Sequence, residues 1–157
     1  MRFGVAADEA GISYESAHDA LVGAFSKWSS VDCDGEPVAL GLVDRGVMHC
    51  GVVEYAHEAR HSNNNILMFR DQWPYAEAAS ALTTITFALA DGRILDADVE
   101  VNTSVVQGTN GATGLDLDAV LLHEVGHVLG LAHSSASEAV MSSNLDNGAT
   151  PPLSDDD

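Results

Sequence analysis

The spacing of apolar side chains divides the chain into two helical stretches separated by short strands. From Ser13 to Val31, apolar residues recur at Ala17, Ala20, Leu21, Ala24, Phe25, Trp28 and Val31. That is the 3.6-residue stripe of an amphipathic helix, with Ser13 or Ser16 placed to cap its start. Ahead of it, Met1–Ala6 reads as a short strand with Phe3 and Val5 on one face. Val38–Val43, Val52–Tyr55 and Ile66–Phe69 are brief apolar runs bounded by Gly, Asn or charges, and each predicts a strand. Leu82–Leu89 is longer, with Ile85, Phe87 and Leu89 alternating against Thr84, Thr86 and Ala88, and Asp91-Gly92 forms a turn after it. From Leu95 the alternation is regular. Leu95, Ala97, Val99 and Val101 face one way and Asp96, Asp98, Glu100 and Asn102 the other, which predicts a half-buried strand. After a glycine-bearing loop, a second helix is expected from an Asp116 cap to Leu129, ended by Gly130. Helix, strands, helix is an α+β plan, and no repeat or linker divides residues 1–157 into more than one domain.

Composition narrows the partners. The 157 residues carry 6 Lys+Arg against 24 Asp+Glu, a net charge of −18. Such a surface repels phosphate backbones and anionic lipid, so neither nucleic acid nor a membrane is expected as a partner. No apolar run approaches the roughly 18 residues of a membrane span, and the N-terminus lacks the pattern of a signal peptide. The two cysteines, Cys33 and Cys50, form a disulfide if the protein is exported and are free thiols if it is cytosolic. The acidic residues Asp96, Asp98 and Glu100 could take a calcium ion through oxygen ligands. The charged outer face of a strand is the commoner arrangement and the preferred reading.

The second helix contains the chemistry. It reads His123-Glu124-Val125-Gly126-His127, and His133 follows after Gly130. At about 100° per residue, His123 and His127 lie about 40° apart on one helix face, close enough to share a metal ion. A continued helix would carry His133 to the wrong side. Gly130 can adopt positive φ, end the helix and turn the chain back, so His133 can approach the same metal. Three neutral imidazoles leave the fourth position of a tetrahedral Zn²⁺ for water, and Glu124, set to the side of the histidine pair, is placed to take the water's proton. A second match, His57-Glu58-Ala59-Arg60-His61, has no apolar helix face, no turn glycine and Leu67 where a third ligand would stand. It reads as a solvated loop, with a secondary metal site as the alternative.

The segment 123–133 resembles the metzincin signature H-E-x-x-H-x-x-G-x-x-H of zinc peptidases. Gly126 and Ser134 are similar to the matrixin branch, the family of the matrix metalloproteinases, and the chain looks like its bacterial members. Ala139-Val140-Met141, eight residues past His133, resembles the family's methionine turn. Gly92–Val99 resembles the strand that precedes the active-site helix, and Leu153-Ser154-Asp155-Asp156 the start of the last helix. The resemblance implies a metzincin domain: a twisted, mostly parallel sheet, two main helices, and Leu82–Leu89 as the edge strand along which a protein or peptide substrate lies extended. It implies a zinc-dependent endopeptidase with one catalytic zinc on His123, His127 and His133 and with Glu124 as the catalytic base. It implies a secreted monomer, in which Cys33 and Cys50 would be bridged. The chain departs from the family in three places. Asp98 stands where a histidine ligand of a second, structural zinc is expected. Ser142-Ser143-Asn144 replaces the proline-containing pocket wall. The chain stops where the family's last helix begins. Those departures leave a rival reading, an inactive zinc-binding module on the same scaffold.

Overall fold

The structure is a computed structural model; it describes residues 2–6, 12–33, 36–38, 40–47, 53, 55, 64–76, 79–107, 114–144, 152–155 and 157. Its elements run β1 (Arg2–Ala6), α1 (Tyr14–Ser29), β2 (Asp32–Cys33), β3 (Glu36–Pro37), β4 (Val43–Val47), β5 (Asn65–Arg70), β6 (Ala81–Phe87), β7 (Ile94–Asn102), β8 (Val106–Gln107), β9 (Leu115–Asp116) and α2 (Leu117–Val128). The main sheet has the order β4-β1-β5-β7-β6. β1 pairs in parallel with β4 and β5, and β5 with β7, while β6 runs antiparallel to β7 at the edge. This is the expected α+β architecture with a mostly parallel sheet.

Both helices follow their apolar pattern. Ala17, Ala20, Leu21, Ala24, Phe25 and Trp28 are all buried on α1. The Ser13 hydroxyl accepts from the Ser16 amide at 3.1 Å, so Ser13 is the cap and Ser16 the capped position. α1 ends at Ser29, two residues before Val31, where the Ser30 hydroxyl donates to the Lys27 carbonyl at 2.6 Å. The indole Nε1 of Trp28 donates to the Leu122 carbonyl at 2.9 Å, which fixes the rotation of α2 against α1.

The strands depart from the pattern at four places. Of the run Val38–Val43, the described residues 38 and 40–42 form no strand and only Val43 enters one, while the Val38 amide bonds the Val31 carbonyl beside the small β2–β3 hairpin. β4 starts at Val43, and its sequence is too polar to announce a strand because most of it is exposed at the sheet edge. β6 stops at Phe87, where its register with β7 shifts, so Phe87 is 53% exposed and Leu89 lies beyond the strand at 93% exposure. The largest departure is β7. Its polar face is not an outer face: Asp96, Asp98, Glu100 and Asn102 are all buried. Alternation reports a polar face but not whether water or protein covers it, and here protein groups meet it. Arg70 Nε donates to Glu100 Oε1, and the Tyr75 hydroxyl donates to Glu100 Oε2 at 2.8 Å. The Ile66 amide donates to Asp98 Oδ1 at 2.8 Å, and the Asn102 amide to the Ala79 carbonyl at 3.1 Å. The run Val52–Tyr55 forms no strand at Val53 and Tyr55, and its other two residues lie outside the described residues, as do Cys50 and the segment His57–His61.

Burial, with Asp96 and Glu100 nearby, pushes the Asp98 carboxyl up to about 7 from its ordinary 3.8. Between those two values the folded chain holds a proton that the unfolded chain has released. The stability this carboxyl contributes is therefore fully present below about pH 4, falls as pH rises toward 7, and levels off above it. In metal-free protein calorimetry should show this contribution falling between pH 5 and 7, against the opposite trend from His123, whose lowered pKa adds stability as pH rises toward 6.5. Asp98→Asn should make that fall shallower by up to about 1.4 kcal/mol per pH unit. An unchanged slope in the variant would mean that the Asp98 carboxyl titrates normally.

Candidate active site

The site is assembled by the end of α2. Asp116 caps the helix start, its carboxylate accepting from the Asp118 amide at 3.3 Å. At the other end Gly130 has φ +96°, a conformation that side chains rarely tolerate. The Gly130 amide bonds the His127 carbonyl at 2.8 Å and the Leu131 amide bonds the Gly126 carbonyl at 3.0 Å, the paired bonds of a Schellman motif. This turn sends the chain back, and His133 comes to lie with its Nε2 only 3.2 Å from His127 Nε2.

The structure brings His123, His127 and His133 together. One nitrogen from each lies within 4.8 Å of the others, a set able to hold a metal ion. Two of the rings are oriented by backbone carbonyls. His123 Nδ1 bonds the Val140 carbonyl at 2.7 Å, and His127 Nδ1 bonds the Leu131 carbonyl at 2.8 Å. A carbonyl only accepts, so each Nδ1 carries the proton and each Nε2 presents its lone pair. Burial pulls the His123 imidazole down to about 4 and the His133 imidazole also downward, which keeps both neutral and able to ligate. The donor set, three neutral nitrogens with fixed tautomers at two of them, fits zinc.

Glu124 stands beside this cluster at 4% exposure. The Thr83 hydroxyl on β6 donates to its Oε2 at 2.5 Å. Desolvation pushes the Glu124 carboxyl up to about 7, against the lowering effect of Thr83. A carboxyl raised in this way accepts a proton more readily than an exposed one.

Past the third histidine, Met141 is fully buried. The Ser134 amide bonds the Met141 carbonyl at 2.8 Å, and Asp157 Oδ1 accepts from the Met141 amide at 2.7 Å. The segment resembling the methionine turn is thus tied to the residue after His133, and through Val140 it holds His123. At Leu153–Asp156, where the resemblance predicts a helix start, the described residues form no helix. Asp157 Oδ2 does accept from the Ser154 amide at 2.9 Å, the back-bond of a capping box.

A cleft of about 720 Å³ runs between β6 and the end of α2. Ala81, Leu82, Thr83 and Ile85 of β6 line it together with the three histidines, Glu124, Leu115 and Ser142–Asn144. Sequence reasoning placed the three histidines and Glu124 at the site. It missed Thr83, read only as a strand former, and the carbonyls of Val140 and Leu131, which leave no side-chain signature.

Among the described residues no helix is long and apolar enough to cross a membrane. No curated protein matches the chain. The family model for matrixin, Peptidase_M10, matches residues 50–157, which spans the whole site and more than half of the chain. By that match, on a sheet and histidine cluster that agree with it, the chain belongs to the matrixin family.

Proposed function

We propose that the protein is a zinc-dependent endopeptidase, with His123, His127 and His133 holding the metal and Glu124 as general base. One observation carries the reading: a buried carboxylate stands beside three converging imidazoles, in a cleft lined by β6, the edge strand of the described sheet. Burying a carboxylate is costly, and metal binding alone has no use for this one, which favours catalysis over the inactive zinc-binding module.

An extended peptide would pair with the open side of β6 and lay one carbonyl over the site. Zinc on the three imidazoles would supply Lewis acidity there, polarising that carbonyl and making water more acidic. Glu124 takes a proton from water as the water oxygen bonds to the carbonyl carbon. The same carboxyl gives the proton to the amine as the C–N bond breaks, so the base is restored after each turnover. Ser142, Ser143 and Asn144 add polar groups to the cleft lining. The matrixin setting and the acidic surface support an extracellular location.

A peptide of about ten residues, blocked at both ends, tests the reading, since only an endopeptidase can cut it. Internal cleavage that depends on zinc is expected; release of nothing, or of terminal residues only from an unblocked peptide, would contradict it. His123→Ala removes the most buried ligand and should abolish stoichiometric zinc binding, measured by equilibrium dialysis, with the fold retained by circular dichroism. Full-affinity zinc in that variant would mean a different ligand set.

A further inference from the structure

We propose that Thr83 is a positioning residue for Glu124, fixing the carboxylate from the strand against which the substrate lies. The inference rests on the endopeptidase reading above and adds to it a residue outside the histidine motif.

Glu124 has three rotatable side-chain bonds and is nearly devoid of water contact at 4% exposure. Among the described residues, the one hydrogen bond to its carboxylate comes from Thr83 Oγ1, at 2.5 Å to Oε2. The same hydroxyl lies 3.4 Å from the Glu124 backbone carbonyl, so it sits over both ends of the residue, and the shorter contact takes its single proton. With Oε2 held, Oε1 is the oxygen left to exchange a proton with water and then with the leaving amine.

The placement follows from the sheet. Thr83 pairs with Val99 of β7, which is fully buried, in the regular part of the ladder; the register shift comes only at Thr86/Phe87. Ala81, Thr83 and Ile85 lie partly buried on one face of β6, and Thr84 is exposed on the other. A threonine has few accessible χ1 states on a strand, so its hydroxyl is already aimed when the strand is in place. The preference of strands for branched residues explains Thr84 and Thr86. At position 83 valine would serve the strand and the burial equally well, and the hydroxyl has its use at Glu124. A peptide pairing with β6 would bond the backbone of the strand that carries Thr83, so substrate binding and the orientation of the base share one element.

The test compares zinc-loaded wild type, Thr83→Val, Thr83→Ser and Glu124→Ala. Thr83→Val is expected to keep one zinc per chain and a near-wild-type melting temperature. Its KM should stay within about twofold while kcat falls roughly tenfold to a hundredfold, the loss of one hydrogen bond to a charged group. Thr83→Ser should recover kcat to within a few-fold. Crystal structures should show the Glu124 carboxylate displaced or spread over several rotamers in Thr83→Val and bonded in Thr83→Ser. If Thr83→Val does not fold, Thr83→Ala must show the same split. Unchanged kcat in the hydroxyl-free variant, or a loss that serine does not restore, overturns the proposal while leaving the endopeptidase reading intact. A wild type that binds zinc but cuts nothing overturns both.

Discussion

Glu124→Ala is expected to lose nearly all turnover, by a factor of about 10³ or more, while still binding one zinc per chain. The size follows from the role: a positioned general base contributes roughly 10² to 10⁴, and here one carboxyl acts in both proton transfers. Zinc should stay because the three histidines, not Glu124, form the converging set. Stability should change little. The variant strands the Thr83 hydroxyl, a cost of about 1 kcal/mol, but removes a carboxylate that is expensive to bury. Steady-state kinetics, metal analysis and a melting curve on the same preparation check all three statements. Retained wild-type turnover would place the base elsewhere.

Gly126→Ala should damage both the fold and the metal site. A Cβ at this position would lie 2.2 Å from Met141 Sδ and 2.9 Å from Trp28 Cζ2. Neither neighbour can yield freely. Met141 is fully buried, and Trp28 is held by its bond to the Leu122 carbonyl. Overpacking of this kind costs about 1–3 kcal/mol. The consequence reaches the metal site, because a shift of Met141 moves the Val140 carbonyl that orients His123. The variant should therefore show a lower melting temperature together with weaker zinc binding. Met141→Ala in the same chain should restore part of both, a non-additive pair. Additive losses would mean that the methyl group is accommodated by some other movement.

These two changes lie in the part of the chain where sequence was most informative. In residues 116–133 the Asp116 cap, the i, i+4 histidines and the Gly130 stop are local features, and each has a direct backbone consequence. The helical stripe of α1 was legible for the same reason, since its period is set within the helix itself. Legibility failed where a residue's surroundings came from distant chain. The acids of β7 have the pattern of an outer face, yet Arg70 at the end of β5 and Tyr75 beyond it meet one of them and the Ile66 backbone amide meets another. β4 is polar because an edge strand needs only backbone pairing, and such a strand has no apolar run to betray it. Thr83 looked like any strand threonine until the α2–β6 packing placed it on Glu124. Of the site itself, the residues of the motif could be read, and the groups that aim them could not, because carbonyls of Val140 and Leu131 carry no sequence signal.

The central claim is that this arrangement cuts peptide bonds with the help of zinc. It is tested most directly by incubating the zinc-loaded protein with casein, an unstructured substrate, before and after chelation and again after zinc is restored. The account predicts internal cleavage that stops with the chelator and returns with zinc. A folded chain that binds one zinc and leaves casein intact in every arm would contradict it.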